Sequence, residues 1–518
     1  MEHPTLVGDT LDHVRKQDDD SQGGDVTRSM DDLPEDICRR IHALMPLRDA
    51  ARVSCASHTF LRSWRCYPNI SLSQETLGLN GDTIEKGEMT RQLVSKVDHI
   101  LKKHSGVGMK KLRLELIHCH KIDSFYINRW LHIAVTAGIE QLDIFLPHIH
   151  AEPFNFPCSL LFDGSDSPIR YLHIAICAFR PTAGLGSWRS LTGLYLTNVL
   201  IADDELECLL SSCSALECLR LLNCREIVTL KIPCVLKRLS FLIVSVCRNL
   251  QVIDSSAPNI STFHFSGSLV LISFRSAMQV KHVKMECLEF SQSNIVWHAP
   301  TKLLSYAPNV ETLTISSRNE MISTPMLPRK FLHLKYLHIC LFEDEAISPA
   351  YDYLSLVSFL EASPCLETFI LEVRQPDMKH DSVIGDSSHL RQPQHRHEGL
   401  KSVAIVGFCS TKSLIELTCH IIESATSLEH LTLDTSHGCQ SSRGCTIDEA
   451  RRLYYTGSGT FKLARPGICL PMGRDILMEV PRAVLAIRTH IEGKVPPGVV
   501  FQVLEPCVRC HDAELLDA

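Results

Sequence analysis

Residues 215–224, ALECLRLLNC, contain the phrase that decides the fold of this chain. An apolar residue is followed by two variable residues, and then by an apolar, a variable and an apolar residue, here Leu216, Leu219 and Leu221. The last two apolar positions are two residues apart, the spacing at which strand side chains return to the same face of a sheet. Each copy of the phrase therefore predicts a short strand with one buried face.

The phrase recurs fourteen times between Met109 and Leu433, which predicts a repeat array. Most steps between copies are 20 to 34 residues, enough for a strand and a returning helix or loop, as in leucine-rich repeats. The steps around Leu250 are 14 and 10 residues, so we expect the chain to return there by a bare turn. The copies begin at Met109, Ile139, Ile169, Leu191, Leu216, Leu236, Leu250, Ile260, Val280, Val310, Leu334, Leu366, Leu400 and Leu428.

Two of the returning segments have helical spacing. Residues 201–214, IADDELECLLSSCS, place apolar residues near one face and offer Asp203 or Asp204 as a cap for the first turn. Residues 351–364, YDYLSLVSFLEASP, follow the same pattern up to Pro364. No repeat buries its apolar face alone, so stacking of repeats supplies the core. The variable positions between the apolar anchors are expected on the concave face: Glu217, Arg220, Lys237, Ser240, Lys281, Lys284, Glu311, Thr314, Lys335 and His338.

Length and charge limit the classes of protein to which the chain can belong. Its 518 residues exceed one compact core, which favours a short module followed by a long array. The net charge of −7 argues against nucleic acid and membranes as partners. Met1 to Asp32 lack the apolar run of a signal peptide, and 22 scattered cysteines indicate thiols in a reducing compartment. We expect a protein of the cytoplasm, the nucleus or both.

The residues that precede the array differ from it in composition and apolar spacing. Residues 1–30 are polar and are expected to be a disordered leader. Residues 31–68, DDLPEDICRRIHALMPLRDAARVSCASHTFLRSWRCYP, then predict three short helices, the first beginning at Pro34 and stopped by Pro46. A core built from about forty residues is too small to be secure alone. We therefore expect contact with a partner to stabilise the module.

This segment resembles the F-box, in the version that heads plant F-box/leucine-rich-repeat proteins of the FBD type. The match covers residues 31–72, and residues 395–435 and 482–511 are similar to the C-terminal part of that family. The resemblance implies an α/β fold: a three-helix F-box (31–72), an irregular leucine-rich-repeat solenoid (105–438), and a C-terminal capping region of a helix and a strand (439–518). The residues that carry the F-box match are Leu33, Pro34, Ile37, Ile41, Leu44, Pro46, Leu47, Asp49, Ala50, Val53, Ser54 and Trp64.

The resemblance also implies a function. Members of the family are substrate-recognition subunits of SCF (Skp1-cullin-F-box) ubiquitin ligases: the F-box binds a Skp1-like adaptor and, through it, cullin, and the repeats bind an unknown protein substrate. For Ile37, Ile41, Val53 and Trp64, the alternative is that they fill the F-box's own core. For Leu33, Pro34 and Leu47, the contact with the adaptor is favoured. The residues implied in adaptor binding are Leu33, Pro34, Ile37, Ile41, Pro46, Leu47, Val53 and Trp64.

Sequence patterns of enzymes and metal sites are scarce. There is no P-loop, dinucleotide fingerprint, zincin motif or nucleophile elbow, so we expect a non-catalytic subunit without a cofactor. The alternatives are a repeat scaffold or ligand sensor that acts without a ligase, and a metal-dependent activity at the tail. The tail motif CVRCH, at Cys507 to His511 with Cys469 nearby, lacks the ligands of a closed zinc site.

Two further segments belong to the C-terminal third of the chain. Residues 374–398 have no apolar period and predict a long exposed loop between repeats, in which His395 and His397 are too few to hold a metal. Beyond Leu433, residues 474–494 predict a helix despite Pro481, and residues 498–506 predict a strand. We expect this helix and strand to cover the last repeat.

Overall fold

In the part of the chain that the structure describes, the main feature of the fold is a parallel sheet of fifteen strands, one for each turn of a solenoid. The computed structural model of the chain describes residues 34–79, 85–104, 108–120, 122–147, 153–161, 167–181, 188–287, 294–318, 320, 323–324, 327, 329–342, 351–374, 382–384, 390–391, 396–436, 453–456, 460–463 and 474–506. The leader 1–30, Leu33, His395, Cys469 and the CVRCH motif lie outside these residues.

Three helices form the N-terminal module, and the others join strands of the sheet. The helices are α1 Glu35–Leu44, α2 Leu47–Ala56, α3 His58–Trp64, α4 Lys86–Lys103, α5 Ser124–Thr136, α6 Asp203–Ser211, α7 Ile295–Tyr306, α8 Val357–Ala362, α9 Lys412–Ser424 and α10 Arg474–His490. Short 3-10 helices occupy Cys158–Leu161, Ala277–Gln279, Tyr353–Leu356 and Glu492–Lys494.

The strands are four to eight residues long, as the repeated phrase predicts. They are β1 Asn69–Leu72, β2 Lys111–Glu115, β3 Gln141–Phe145, β4 Tyr171–Ala178, β5 Gly193–Leu200, β6 Cys218–Leu222, β7 Thr229–Ile232, β8 Phe241–Ser245, β9 Val252–Ser255, β10 Thr262–Ser266, β11 Leu271–Phe274, β12 His282–Glu286, β13 Thr312–Arg318, β14 Tyr336–Phe342, β15 Thr368–Arg374, β16 Ser402–Val406, β17 His430–Asp434, β18 Leu453–Thr456, β19 Thr460–Leu463 and β20 Val500–Leu504.

The main sheet stacks equivalent apolar residues from one turn to the next. Its order is β1-β2-β3-β4-β5-β6-β8-β10-β12-β13-β14-β15-β16-β17-β20. Leu219 lies level with Leu194 on one side and Leu242 on the other, and all three side chains are fully buried. Burying one such leucine stabilises the fold by about 2 kcal/mol, so the stack is the main favourable contribution. The predicted α/β solenoid of leucine-rich repeats is confirmed.

A second sheet lies outside the first and corrects one predicted repeat. Strands β7, β9 and β11 form it in the order β11-β9-β7, all parallel. The copy of the phrase at Leu250 belongs to this sheet, because Ile253 is level with Leu230 and Ile272. That copy is therefore the returning strand of its turn, and the prediction of a bare turn is wrong. The phrase cannot distinguish the two sheets, since both bury alternate residues.

The predicted copy at Leu236 is shifted by three residues. Phe241 is level with Cys218, so Leu242 and not Leu239 is the equivalent of Leu219. Phe241 points outward and is 48% exposed. The segment RLSFLIV has apolar residues at both alternations, so spacing alone fits two registers. Because the copy at Leu250 belongs to the second sheet, both unusually short steps disappear from the main array.

The sheet extends beyond the predicted array at both ends. At the N-terminal end, β1 fits the same phrase with Tyr67 in the first position, and it pairs in parallel with β2. At the other end, β20 pairs in parallel with β17, and α10 lies against α9. The predicted C-terminal helix and strand are confirmed, and they form the last turn of the solenoid. Strands β18 and β19 form an antiparallel hairpin.

The predicted return helix after Ile201 is confirmed, but its acidic residues act differently from the expectation. The N-cap residue of α6 is Ala202, whose amide donates to the Glu205 carboxylate over 2.8 Å. Asp203 instead accepts hydrogen bonds from the amides of Val228 and Thr229, each 2.8 Å long. Asp203 therefore joins α6 to the next strand of the second sheet. The helical segment before Pro364 is also confirmed, as a 3-10 turn followed by α8.

The predicted loop at 374–398 contacts the solenoid wherever the structure describes it beyond its first residue. Val383 and His397 are buried, which contradicts the expectation of exposure at these residues. The imidazole of His397 lies 2.8 Å from the Ser363 carbonyl oxygen, and its other nitrogen accepts from the amide of Leu400. A sequence without an apolar period can still bury single residues through such hydrogen bonds.

Two general features concern the described part of the chain. None of its helices is both long enough and apolar enough to cross a membrane. Most of its cysteine side chains are buried. Burial raises the pKa of several of these thiols, to about 11 for Cys119 and about 12 for Cys213. They behave as small apolar side chains of the core.

Candidate functional site

The first helix of the N-terminal module turns an apolar stripe toward solvent. Pro34 occupies the N-cap of α1, one position before its predicted place, and Pro46 follows the helix end. Ile37, Ile41 and Leu44 are four and three residues apart, so they share one face of the helix. Ile37 is 36% exposed, Leu44 is 86% exposed and Ile41 is half-buried. These three residues are called the α1 stripe below.

The opposite face of α1 makes the contacts inside the module. Cys38 and His42 are buried there, His42 with only 1% of its surface exposed. The His42 imidazole lies 2.9 Å from the Ala50 carbonyl oxygen of α2 and meets the rings of Phe60 and Tyr67 edge-on at 5.4 and 5.5 Å. A histidine thus occupies the interior of the module, which was the alternative left open for Ile37 and Ile41. The larger apolar side chains are left on the outer face.

The structure separates the residues that the resemblance implied in adaptor binding. Pro34 and Ile37 are exposed next to half-buried Ile41, and Pro46 is exposed at the turn into α2. Val53 is half-buried within α2. Leu47 and Trp64 instead line a groove of about 660 Å³ shared with His99 and Lys103 of α4. Leu44 was left out of the implied set, although its spacing from Ile37 and Ile41 places it in the stripe.

The module is fixed to the first turn of the solenoid by hydrogen bonds. The Tyr67 hydroxyl donates to the Met45 carbonyl oxygen over 2.7 Å. The His104 imidazole lies 3.0 Å from the Tyr67 carbonyl oxygen, and the amides of Lys110 and Lys111 both donate to the carbonyl of Pro68. Burial lowers the pKa of His104, although its hydrogen bond to Tyr67 opposes this. The α1 stripe is therefore held in a defined position relative to the repeats.

The concave face carries a cluster of aromatic and basic side chains on β2 to β6. The register places Arg113, Asp143, His173, Tyr195 and Arg220 in one row across five strands. Arg220 lies over the Tyr195 ring at 5.1 Å and Arg113 over the Phe145 ring at 4.8 Å. The Tyr171 and Tyr195 rings lie 4.6 Å apart, and Phe145 meets His173 at 4.5 Å. We call this group the aromatic row.

Electrostatics in the aromatic row favours neutral side chains next to fixed cations. Burial lowers the pKa of His173, and Arg113 and Arg220 act in the same direction while Asp143 opposes them. Burial also raises the pKa of Tyr195 well above its usual range, and Cys218 adds to the effect. Near neutral pH, His173 and Tyr195 are therefore neutral side chains in one row with two guanidinium groups and the Asp143 carboxylate.

The positions predicted to face outward on the repeats are all exposed or half-buried. Several are paired in the free protein, because Lys281 meets Glu311 at 2.8 Å and Lys284 meets Glu286 at 2.7 Å. Lys237 and Ser240 were assigned with the shifted copy at Leu236. By the observed register, the equivalents of Glu217 and Arg220 on that turn are Ser240 and Ile243.

One strand for each turn, returning segments of helix or strand, and an N-terminal module of three helices define a leucine-rich-repeat protein with an appended helical domain. The family model described as "At1g61320/AtMIF1, LRR domain" matches residues 100–508, and the chain belongs to this family. The match begins after the three-helix module and includes the last strand.

Curated relatives from Arabidopsis thaliana are also similar to this chain. The chain is 28% identical over 187 residues to the FBD-associated F-box protein At5g56370. The aligned region covers 36% of this chain and 41% of that protein. It is 25% identical to the FBD-associated F-box protein At1g66310, over 40% of this chain and 43% of that protein. The F-box/LRR-repeat protein At4g14096 is 22% identical over 66% of this chain and 72% of its own length.

These similarities confirm the predicted resemblance to plant F-box/leucine-rich-repeat proteins of the FBD type. The matched regions span less than half the length of the first two relatives. All three relatives are named for their F-box, their repeats or the FBD segment.

Proposed function

We propose that this chain is the substrate-recognition subunit of an SCF ubiquitin ligase. In this proposal the module of α1 to α3 binds a Skp1-like adaptor, which joins it to cullin, and the repeats bind the protein that is ubiquitinated. The proposal rests mainly on the α1 stripe, in which large apolar side chains face solvent on a module that resembles the F-box. The cytoplasm, the nucleus or both would be the site of action.

The α1 stripe has the features of a docking surface for an apolar partner groove. Ile37 and Leu44 expose apolar area next to Ile41, Pro34 and Pro46. The inner face of α1 is instead formed by the buried side chains of His42 and Cys38. Covering a large apolar side chain stabilises a complex by about 2 kcal/mol. An amphipathic helix laid into an apolar groove is a common mode of recognition. Pro34, Ile37, Ile41, Leu44 and Pro46 are therefore the primary adaptor set, with Leu33 at their N-terminal side.

Leu47, Val53 and Trp64 have a different part in this proposal. Leu47 and Trp64 pack against the core and line the groove beside α4. Trp64 also lies 5.6 Å from the Tyr67 ring. They would support the adaptor surface by fixing the module to the solenoid. For Trp64 this favours the alternative of an internal packing role.

Target recognition is assigned to the concave face, with the aromatic row as its centre. Arginine and tyrosine are enriched among residues that dominate binding at protein interfaces. The row lies on β2 to β6, close in sequence to the adaptor module. Holding a target there raises the effective concentration of its lysines near the ubiquitin-conjugating enzyme. The chain itself then needs no catalytic residue.

Co-purification with a Skp1-like adaptor tests the proposal. We expect Pro34→Ala combined with Ile37→Asp to abolish recovery of the adaptor, because a carboxylate in an apolar contact costs several kcal/mol. Met278→Asp is the matched control, since Met278 is 62% exposed on a remote turn of the solenoid. Retained adaptor with the double variant would contradict the proposal.

Reconstituted ubiquitin transfer separates a ligase subunit from a scaffold or ligand sensor. A complex of the chain with adaptor, cullin and conjugating enzyme is expected to modify a protein captured through the repeats. The combination of Arg220→Glu with Tyr195→Ala should lower that modification while leaving adaptor binding unchanged. A captured protein that is never modified would favour the scaffold.

A further inference from the structure

Three side chains with metal-binding donors converge on the concave face of β14 and β15. His338 and Cys340 are two residues apart on β14, so they point to the same face, and Glu372 of β15 lies level with Cys340. The Cys340 sulfur is 3.1 Å from Nε2 of His338 and 3.3 Å from Oε2 of Glu372. Nε2 of His338 is 3.5 Å from the same carboxylate oxygen.

We propose that His338, Cys340 and Glu372 bind a Zn²⁺ ion, with a fourth coordination position open to the concave surface. The three donor atoms form a triangle with sides of 3.1 to 3.5 Å. A tetrahedral zinc ion with ordinary bond lengths places such donors about 3.5 Å apart. Only a small adjustment of rotamers is needed to seat the ion. This proposal does not depend on the ligase function.

The donor set selects the metal. One imidazole, one thiolate and one carboxylate suit zinc, whereas magnesium and calcium prefer oxygen ligands. Binding replaces the proton on the Cys340 sulfur, which is released to solvent as the thiolate forms a bond to the ion. The charges of the thiolate and the carboxylate then balance those of Zn²⁺.

A supporting group already orients the carboxylate. Arg374, two residues beyond Glu372 on β15, donates to Oε1 of Glu372 from Nε over 2.8 Å and from Nη2 over 2.5 Å. Oε2, the oxygen that faces Cys340 and His338, is left for the ion. Hydrogen bonds of this kind to a ligating carboxylate are typical of metal sites. Arg374 is itself held over the Phe342 ring at 5.2 Å.

The cluster is buried and yet reachable from solvent. Cys340 and Glu372 are each 5% exposed, whereas the His338 side chain is 22% exposed. An ion can therefore enter past His338, and water can occupy the fourth position. Among the described residues, the donor atoms of these three side chains lie close enough to one another to share one ion.

Cobalt titration of the full chain tests the site, because Co²⁺ replaces Zn²⁺ and a thiolate ligand gives it an intense charge-transfer band. The titration uses a background with Cys507→Ser and Cys510→Ser, which removes the thiols of the tail motif. We expect one equivalent of Co²⁺ to bind with this band and to be displaced by Zn²⁺. Cys340→Ser should abolish the band, and Glu372→Gln should weaken binding by roughly 100-fold.

Cys218→Ser is the matched control, since Cys218 is a half-buried thiol on the same concave face. It should leave the band unchanged. If Cys340→Ser unfolds, His338→Ala gives the same test at a position that is partly exposed, with a loss of binding of more than roughly 100-fold expected. The proposal is overturned if the background protein binds no Co²⁺ at one equivalent, or if the band persists in both Cys340→Ser and His338→Ala.

Discussion

The Tyr67 hydroxyl donates a hydrogen bond to the backbone carbonyl of Met45 over 2.7 Å. Met45 ends α1, and Tyr67 opens the segment that becomes the first strand of the sheet. This bond therefore connects the end of the candidate adaptor helix with the beginning of the solenoid. The Tyr67 carbonyl in turn lies 3.0 Å from the His104 imidazole at the end of α4. The module and the first turn of the solenoid are one packed unit.

His104 should make this unit sensitive to acid. Its pKa is lowered in the fold because burial disfavours the charged imidazole. The unfolded chain therefore takes up the proton first as the pH falls, and stability is lost from about pH 6.5 downward through the lowered pKa. We expect His104→Gln to flatten the decline of the unfolding free energy between about pH 7.5 and 5.5, measured by urea denaturation.

His99→Gln provides the control for that measurement, because His99 is exposed on the same helix. Its pH profile should follow that of the unsubstituted protein. Identical profiles for His104→Gln and the unsubstituted protein would contradict the assignment of the acid sensitivity to His104.

Asp203 should stabilise the solenoid more than its neighbour Asp204. The Asp203 carboxylate accepts two amide hydrogen bonds of 2.8 Å from Val228 and Thr229 at the start of β7, whereas Asp204 is exposed. Loss of charge-assisted hydrogen bonds costs about 2 kcal/mol, while most surface substitutions change stability by less than about 0.5 kcal/mol. Denaturant unfolding of Asp203→Ala and Asp204→Ala measures the difference. Equal losses would show that helix charge alone explains the effect.

Arg391 should be required for the stability of the fold because it neutralises a fully buried carboxylate. Glu416 of α9 has no exposed side-chain surface and accepts from both the amide and Nε of Arg391, at 2.9 and 2.8 Å. Removing one partner of a buried pair leaves an uncompensated charge, so Arg391→Ala should lower the unfolding free energy by about 3 kcal/mol. Adding Glu416→Gln should recover most of this loss. A double variant as unstable as Arg391→Ala would indicate that the arginine contributes through packing.

The repeated phrase was sufficient to predict the sheet because its spacing matches the geometry of a buried strand. It failed where that geometry is ambiguous. Around Phe241 both alternations are apolar, and around Ile253 a strand of the second sheet buries the same alternate residues. The first strand was missed because its leading apolar position is Tyr67, ahead of the predicted array.

The sites were harder to predict than the strands. The apolar spacing of α1 located the stripe but left open whether it faces the core or a partner, and His42, which occupies the interior, was not predicted there. The aromatic row and the pairing of Cys340 with Glu372 depend on register between strands separated by many residues. Local sequence carries no signal for such contacts. His338 was predicted to face outward, and its closeness to Glu372 follows only from the fold.

The most direct test of the account is the affinity of the purified full chain for a purified Skp1-like adaptor, measured by titration calorimetry. We predict a complex of one chain with one adaptor, and a loss of affinity of more than roughly 100-fold when Leu44→Asp is combined with Ile37→Asp, since two carboxylates would then enter an apolar contact. Leu271→Asp, at a residue that is 66% exposed on β11, should leave the affinity unchanged. Absence of binding by the unsubstituted chain, or equal affinity in the double variant, would contradict the account.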